Sequence, residues 1–256
     1  MDPELQRLLL ITFAAAVVAD LSMVFGVAPF FFVKDMSARV AGAFSAAAAG
    51  MMAAASLVQL VGEGLDRAPG LQAWEVAAGL AAGALFYWLA ARWVRSNRDF
   101  DVASLRKTGG SRALLIVAAM TVHSLPEGIA IGVAFGSREE ALGFAVVSAL
   151  AVHNIPEAIA ITLALRAGGV STKACIGWAL FTSLPQPLAA PFAAWFIWIF
   201  EPLLPAGMGF AAGAMTYLVV DELLPEAFES TSRTAVAMAF LGGVVGMIVL
   251  GRLVGM

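Results

Sequence analysis

The chain has 256 residues, 61% of them hydrophobic and 13% charged, with a formal net charge of −3 and a mean hydropathy of +0.89. An ordinary soluble domain carries about 25% charged residues, so this composition excludes a soluble globular protein and leaves no basic surface for nucleic acid. With Cys175 as the sole cysteine, an intramolecular disulfide is excluded as well, and the thiol is read as core packing.

A bilayer core is crossed by about 20 apolar residues. Eight such stretches follow one another, approximately at 6–33, 38–62, 72–95, 112–136, 140–166, 173–200, 203–228 and 232–254. They predict an all-α integral membrane protein, a single polytopic domain over 1–256 with eight transmembrane helices in a compact bundle. The first stretch follows an acidic Met-Asp-Pro-Glu and has no clear cleavage site, so a retained helix is expected rather than a signal peptide. Asp20 sits near its centre, where an acid is costly and usually functional. Either a coupling role in transport or a helix-packing hydrogen bond fits.

The second stretch contains "AGAFSAAAAGMMAAAS" at 41–56, small residues that let backbones approach closely in lipid. Met52, Ser56, Gln59 and Glu63 recur at i, i+4, i+7 and i+11, a narrow polar stripe on one face. It can lead ions inward from a mouth at Glu63 and Asp66 past Gln59, or it can be a boundary carboxylate above a space-filling methionine. Residues 96–111 form the longest predicted loop.

The fourth and fifth stretches carry one phrase twice: "HSLPEGIAIG" from His123 and "HNIPEAIAIT" from His153, using the chain's only two histidines. The short "GSREE" at 136–140 makes these stretches an antiparallel hairpin centred near residue 138, which sets both histidines at the same depth near the midplane. His and Glu four apart share a helix face. Each internal proline removes a backbone donor and predicts a kink in the fourth and fifth helices, at the centre of the bundle. Ionised glutamates at that depth cost several kcal/mol each, roughly, by insertion scales. A divalent ion offsets this: two carboxylates neutralise its charge, and two neutral imidazoles complete four ligands of a kind that suits zinc. In a straight hairpin Glu127 and Glu157 diverge by about 6 Å to either side of the histidines, so one ion held by His123, Glu127, His153 and Glu157 requires the kinks or ligand exchange along a path.

The seventh stretch ends in Asp221, Glu222 and Glu226, which can receive an ion on exit or simply be a solvated helix end. Positive charges set orientation. With both termini extracytoplasmic, eleven Lys and Arg fall inside and four outside, which puts the 96–111 loop in the cytoplasm of a cell whose inner membrane holds the protein.

At the repeated phrases the sequence resembles the ZIP (Zrt/Irt-like) family of divalent metal transporters, in its bacterial form, whose fourth and fifth helices carry His-Asn-x-Pro-Glu-Gly type motifs. "GFAAGAMTYLVVDELLPEAFE" at 209–229 and "AAGMMAAAS" at 48–56 resemble its seventh and second helices. The resemblance implies an eight-helix bundle, often dimeric, that moves Zn2+ or Cd2+, Fe2+, Mn2+ or Co2+ into the cytosol as substrate, with no catalytic cofactor. It implies primary ligands at His123, Glu127, His153 and Glu157, with Met52 nearby, and alternating access in which helices one, four, five and six move against the rest. The pattern departs at Ser124, Asn154 and Gln186, where relatives with two adjacent metals furnish a second site. Neutral groups cannot compensate a second divalent charge in a low-dielectric site, so one strong site is expected. A sensor-like member that binds metal without moving it, and a membrane-embedded zinc hydrolase, are the competing functions. The hydrolase lacks an evident oxyanion donor or nucleophile, and a pseudo-symmetric ligand pair suits a pathway with two faces.

Overall fold

The computed structural model describes residues 2–33, 37–68, 70, 73–96 and 110–253, with side chains at all of these but 94, 95 and 110–120. The loop expected at 96–111 lies outside the described residues except at 96, 110 and 111. Among the described residues there is helix and no strand. We label the helices α1 (Pro3–Phe31), α2 (Ala38–Asp66), α3 (Ala73–Ser96), α4 (Gly110–Gly136), α5 (Glu140–Ala167), α6 (Thr172–Ser183 and Pro185–Ile199), α7 (Glu201–Ser230) and α8 (Arg233–Leu253). Six helices among the described residues, α1, α2, α3, α5, α7 and α8, are long and apolar enough to cross a membrane. The protein is therefore an all-α membrane protein.

Local chemistry explains the ends. Asp2 caps α1 by accepting from the Glu4 N–H, with Pro3 at the first helical position. Ser37 and Ser171 cap α2 and α6 in the same way. Gly169, at φ +86, ends α5 where a residue with a side chain would be strained.

Several helices are less regular than the hydropathy suggests. The backbone of α1 breaks at Ser22, so Asp20 lies at the end of a helical segment rather than in the middle of a continuous one. Two π-helical turns, Ala55–Leu60 in α2 and Val219–Leu223 in α7, insert an extra residue per turn next to the polar residues of those helices. The sixth helix, expected as one span, divides at Leu184, where Pro185 and Pro187 remove two backbone donors within three residues. The helices of the repeated phrases, by contrast, continue through Pro126 and Pro156.

Glycine governs how the helices pair. A side chain on Gly83 of α3 would collide with the Phe210 carbonyl of α7, and one on Gly213 of α7 with the Leu80 carbonyl of α3. Gly50 and Gly243 bring α2 and α8 equally close, while Gly132 and Gly26 do the same for α4 with α6 and for α1 with α5. In lipid, close backbone approach replaces the hydrophobic drive to associate. Gly42 of α2, against Ala227 and Ser230 of α7, and Gly143 of α5, against Phe135 of α4, join these four pairs into two groups, α1, α4, α5, α6 and α2, α3, α7, α8. Across the seam between the groups the packing is made by side chains, such as Met51 and Ala54 of α2 with Ala149 of α5, and Ile197 of α6 against Gly207 of α7.

Candidate metal centre

The hairpin that carries the repeat turns at Arg138, whose φ of +63 lies in the left-handed region. The Ser137 hydroxyl donates to the Ala134 carbonyl at 2.6 Å and accepts from the Glu139 N–H at 3.2 Å, which closes the turn tightly. Equal arms then bring the two phrases face to face. The His123 and His153 rings stack with centroids 6.3 Å apart and planes inclined by 13°. Glu127 Oε1 lies 3.3 Å from His153 Nδ1 and 3.9 Å from His123 Nε2, and Glu157 Oε2 lies 3.9 Å from His153 Nδ1.

One ligand atom from each of His123, Glu127, His153 and Glu157 fits within 4.8 Å of all the others. The side chains thus overcome the divergence expected of the two carboxylates, since each glutamate reaches back towards the level of the histidines. All four residues are buried, at most 3% exposed. None of their eight side-chain nitrogen and oxygen atoms has a hydrogen-bond partner. Two desolvated carboxylates facing unpartnered imidazoles are a costly arrangement for a bare protein. A divalent cation can take one ligand atom from each of the four residues, and tetrahedral coordination at about 2.0–2.2 Å needs only a modest contraction of the cluster. The residues fit such an ion.

Beside this cluster stands a neutral one. The Ser124 hydroxyl donates to the Thr182 carbonyl at 3.0 Å. The Asn154 amide donates to the Ala19 carbonyl at 2.9 Å and to Gln186 Oε1 at 3.3 Å. All three side chains are fully buried and stitch α1, α4, α5 and α6 together. Asn154 Oδ1 and Gln186 Nε2 are buried without a hydrogen-bond partner.

A sequence profile of the family described as ZIP zinc transporter matches residues 98–253, which include both phrases and the seventh helix. The chain belongs to the ZIP family. The zinc transporter GufA of Myxococcus xanthus is 41% identical over 52% of this chain and 55% of its own length. The human zinc transporter ZIP11 is 42% identical over 56% of this chain and 45% of its own. The zinc transporter ZIPB of Bordetella bronchiseptica is 33% identical over 87% of this chain and 74% of its own. This ZIP chain thus spans about half the length of the GufA and ZIP11 relatives it matches.

The remaining polar residues of this ZIP family member occupy distinct surroundings. Met52 is fully buried one turn before the π-helical segment of α2, with the Ser56 hydroxyl donating to its carbonyl at 2.8 Å. Gln59 is half-buried and donates to the Met247 carbonyl of α8 at 3.5 Å. Glu63 is engaged by Arg67 at 2.8 Å, whereas Asp66 is exposed. On α7, Glu222 accepts from the hydroxyl of the buried Tyr87 at 3.1 Å, Asp221 is half-buried and Glu226 exposed.

Asp20 is buried, accepts a short hydrogen bond from the Ser183 hydroxyl, and lies within Coulombic range of Glu127 and Glu157. Ser183 is a residue that pattern reading passes over. Its signal is faint: a hydroxyl two residues before the first of two prolines in "TSLPQP", where a helix in lipid must find substitute hydrogen bonds. Cys175 is buried among Met23, Val27, Ile161 and Leu165 as a packing residue.

Proposed function

We propose that this ZIP family protein is a secondary transporter that moves divalent transition-metal ions, zinc foremost, through the membrane into the cytosol. The observation that carries the reading is the convergence of two histidines and two glutamates, all buried and all without hydrogen-bond partners, at the centre of a helix bundle. Such a site has the charge to desolvate a 2+ ion and neutral ligands enough to release it. Zinc is the ion named for the GufA, ZIP11 and ZIPB relatives. Cd2+, Fe2+, Mn2+ and Co2+ suit the same donors.

The eight helices all span the bilayer in this reading, with both termini and the 137–140 hairpin tip on the extracytoplasmic side of an inner membrane. The prolines at 126 and 156 are the points at which the ligand-bearing helices can bend as the bundle opens. Because the ligands are buried, an ion reaches them only when the bundle opens. The grouping of helices by glycine contacts supports a motion in which α1, α4, α5 and α6 carry the site as a unit past α2, α3, α7 and α8. Glu63, Asp66 and Gln59 then lie on the way in, with Met52 close to the ion, and Asp221, Glu222 and Glu226 on the way out. Asp20, beside the site and held by Ser183, is placed to couple proton movement to ion release. A homodimer within the membrane belongs to the same reading.

Uptake of radioactive zinc into proteoliposomes across a pH series tests the proposal. Wild-type flux that collapses in Glu127→Ala and His153→Ala is expected. Flux should also decline as pH falls, because protons compete with the ion for imidazole and carboxylate. Zinc bound without flux would overturn transport in favour of a binding role.

A further inference from the structure

The hairpin tip carries charges of both signs, and both are used. Arg67, at the end of α2, donates from Nε to Glu63 Oε1 at 2.8 Å, and the same guanidinium pairs with Glu139 at the tip. Arg138, the neighbouring tip residue, faces Glu201 at the start of α7 at 3.7 Å. Each of these pairs joins the group α1, α4, α5, α6 to the group α2, α3, α7, α8, and each does so at the same end of the bundle. The hydrogen bonds of Asn154, Ser183, Arg166 and Gln59 remain inside one group.

The pairing is reciprocal: the tip contributes an anion to a cation on α2 and a cation to an anion on α7. Arg138 holds its place in a left-handed backbone conformation better suited to glycine, and its guanidinium stacks over Trp198 at 4.2 Å. Arg67 is only 24% exposed and is shared between two carboxylates, the half-buried Glu63 and the more exposed Glu139. The Glu63 carboxylate, lying on the expected way in, is occupied by this same arginine.

We propose that Arg67 and Glu139, seconded by Arg138 and Glu201, form an outer latch that closes the seam between the two helix groups, and that its release opens the metal centre to the extracytoplasmic side. The inference rests on the two-group transport reading. Arg67 is thus a positioning residue that acts on access and touches no ion at the centre. The latched conformation is the one in which the ligands are buried.

Spin labels at Leu65→Cys and Ala141→Cys, in a Cys175→Ala background, report the distance across the seam by pulsed electron resonance in lipid nanodiscs. Both positions are exposed, one on each side. Glu139→Ala should add a population longer by about 5 Å, of the order of one helical turn. The charge swap Arg67→Glu with Glu139→Arg should return the wild-type distribution. An unchanged distribution in Glu139→Ala, or a swap that fails to restore it, overturns the latch. Zinc uptake by the same variants is read separately: distances that respond without uptake would sink transport and leave the latch, and uptake without a distance response would do the reverse.

Discussion

Glu127 and His153 belong to different helices and to different copies of the repeated phrase, yet their Oε1 and Nδ1 atoms lie 3.3 Å apart, closer than either His–Glu pair within a phrase. The four side chains therefore form one shared cluster and not two local pairs.

Removing any member of a shared four-ligand site leaves the other three unable to satisfy the ion. Glu127→Ala and His153→Ala should each lower zinc affinity by more than about 100-fold, beyond what outer-shell changes cost. Glu127→Gln should lose nearly as much despite its similar shape, because it removes a charge as well as a donor. Isothermal titration in detergent gives the values. A loss of less than tenfold in Glu127→Gln would show that Glu127 is not a ligand.

The neutrality of Ser124, Asn154 and Gln186 predicts the stoichiometry. These groups hydrogen-bond in part to the Thr182 and Ala19 carbonyls and to each other, but they bring no charge to balance a second ion. The wild type should bind one zinc per chain. Asn154→Asp combined with Gln186→Glu should raise this to two, read by inductively coupled plasma mass spectrometry after equilibrium dialysis. Two zinc ions on the wild type would refute the expectation.

The Ser183 hydroxyl satisfies a buried Asp20 carboxylate, so Ser183→Ala strands it. Thermal stability should fall by about 1–3 kcal/mol, the usual cost of orphaning a buried polar group, while Ser183→Thr should retain most of it. If the alanine and threonine variants melt alike, the hydroxyl is not the partner of Asp20.

Much of this protein is written in local chemistry. Runs of about 20 apolar residues admit only helices in lipid, since each backbone group must be satisfied within its own segment. A histidine and a glutamate four apart share a face wherever their helix sits, and two such phrases at equal distance from a short turn must meet at one depth. The convergence of His123, Glu127, His153 and Glu157, the hairpin and the buried thiol of Cys175 follow from those rules.

What the tertiary structure alone decided depends on partners far apart in the chain. Ser183 finds Asp20 across 163 residues, Asn154 finds the Ala19 carbonyl across 135, and Tyr87 finds Glu222 across 135. The π-helical turns in α2 and α7 and the break at Ser22 leave no periodic mark, because they answer the demands of neighbouring helices. Glu63 reads as a free acid at a mouth until Arg67 and Glu139 are seen closing on it. Glycines are visible one by one along the chain, but which backbone each one admits is set only when the bundle assembles.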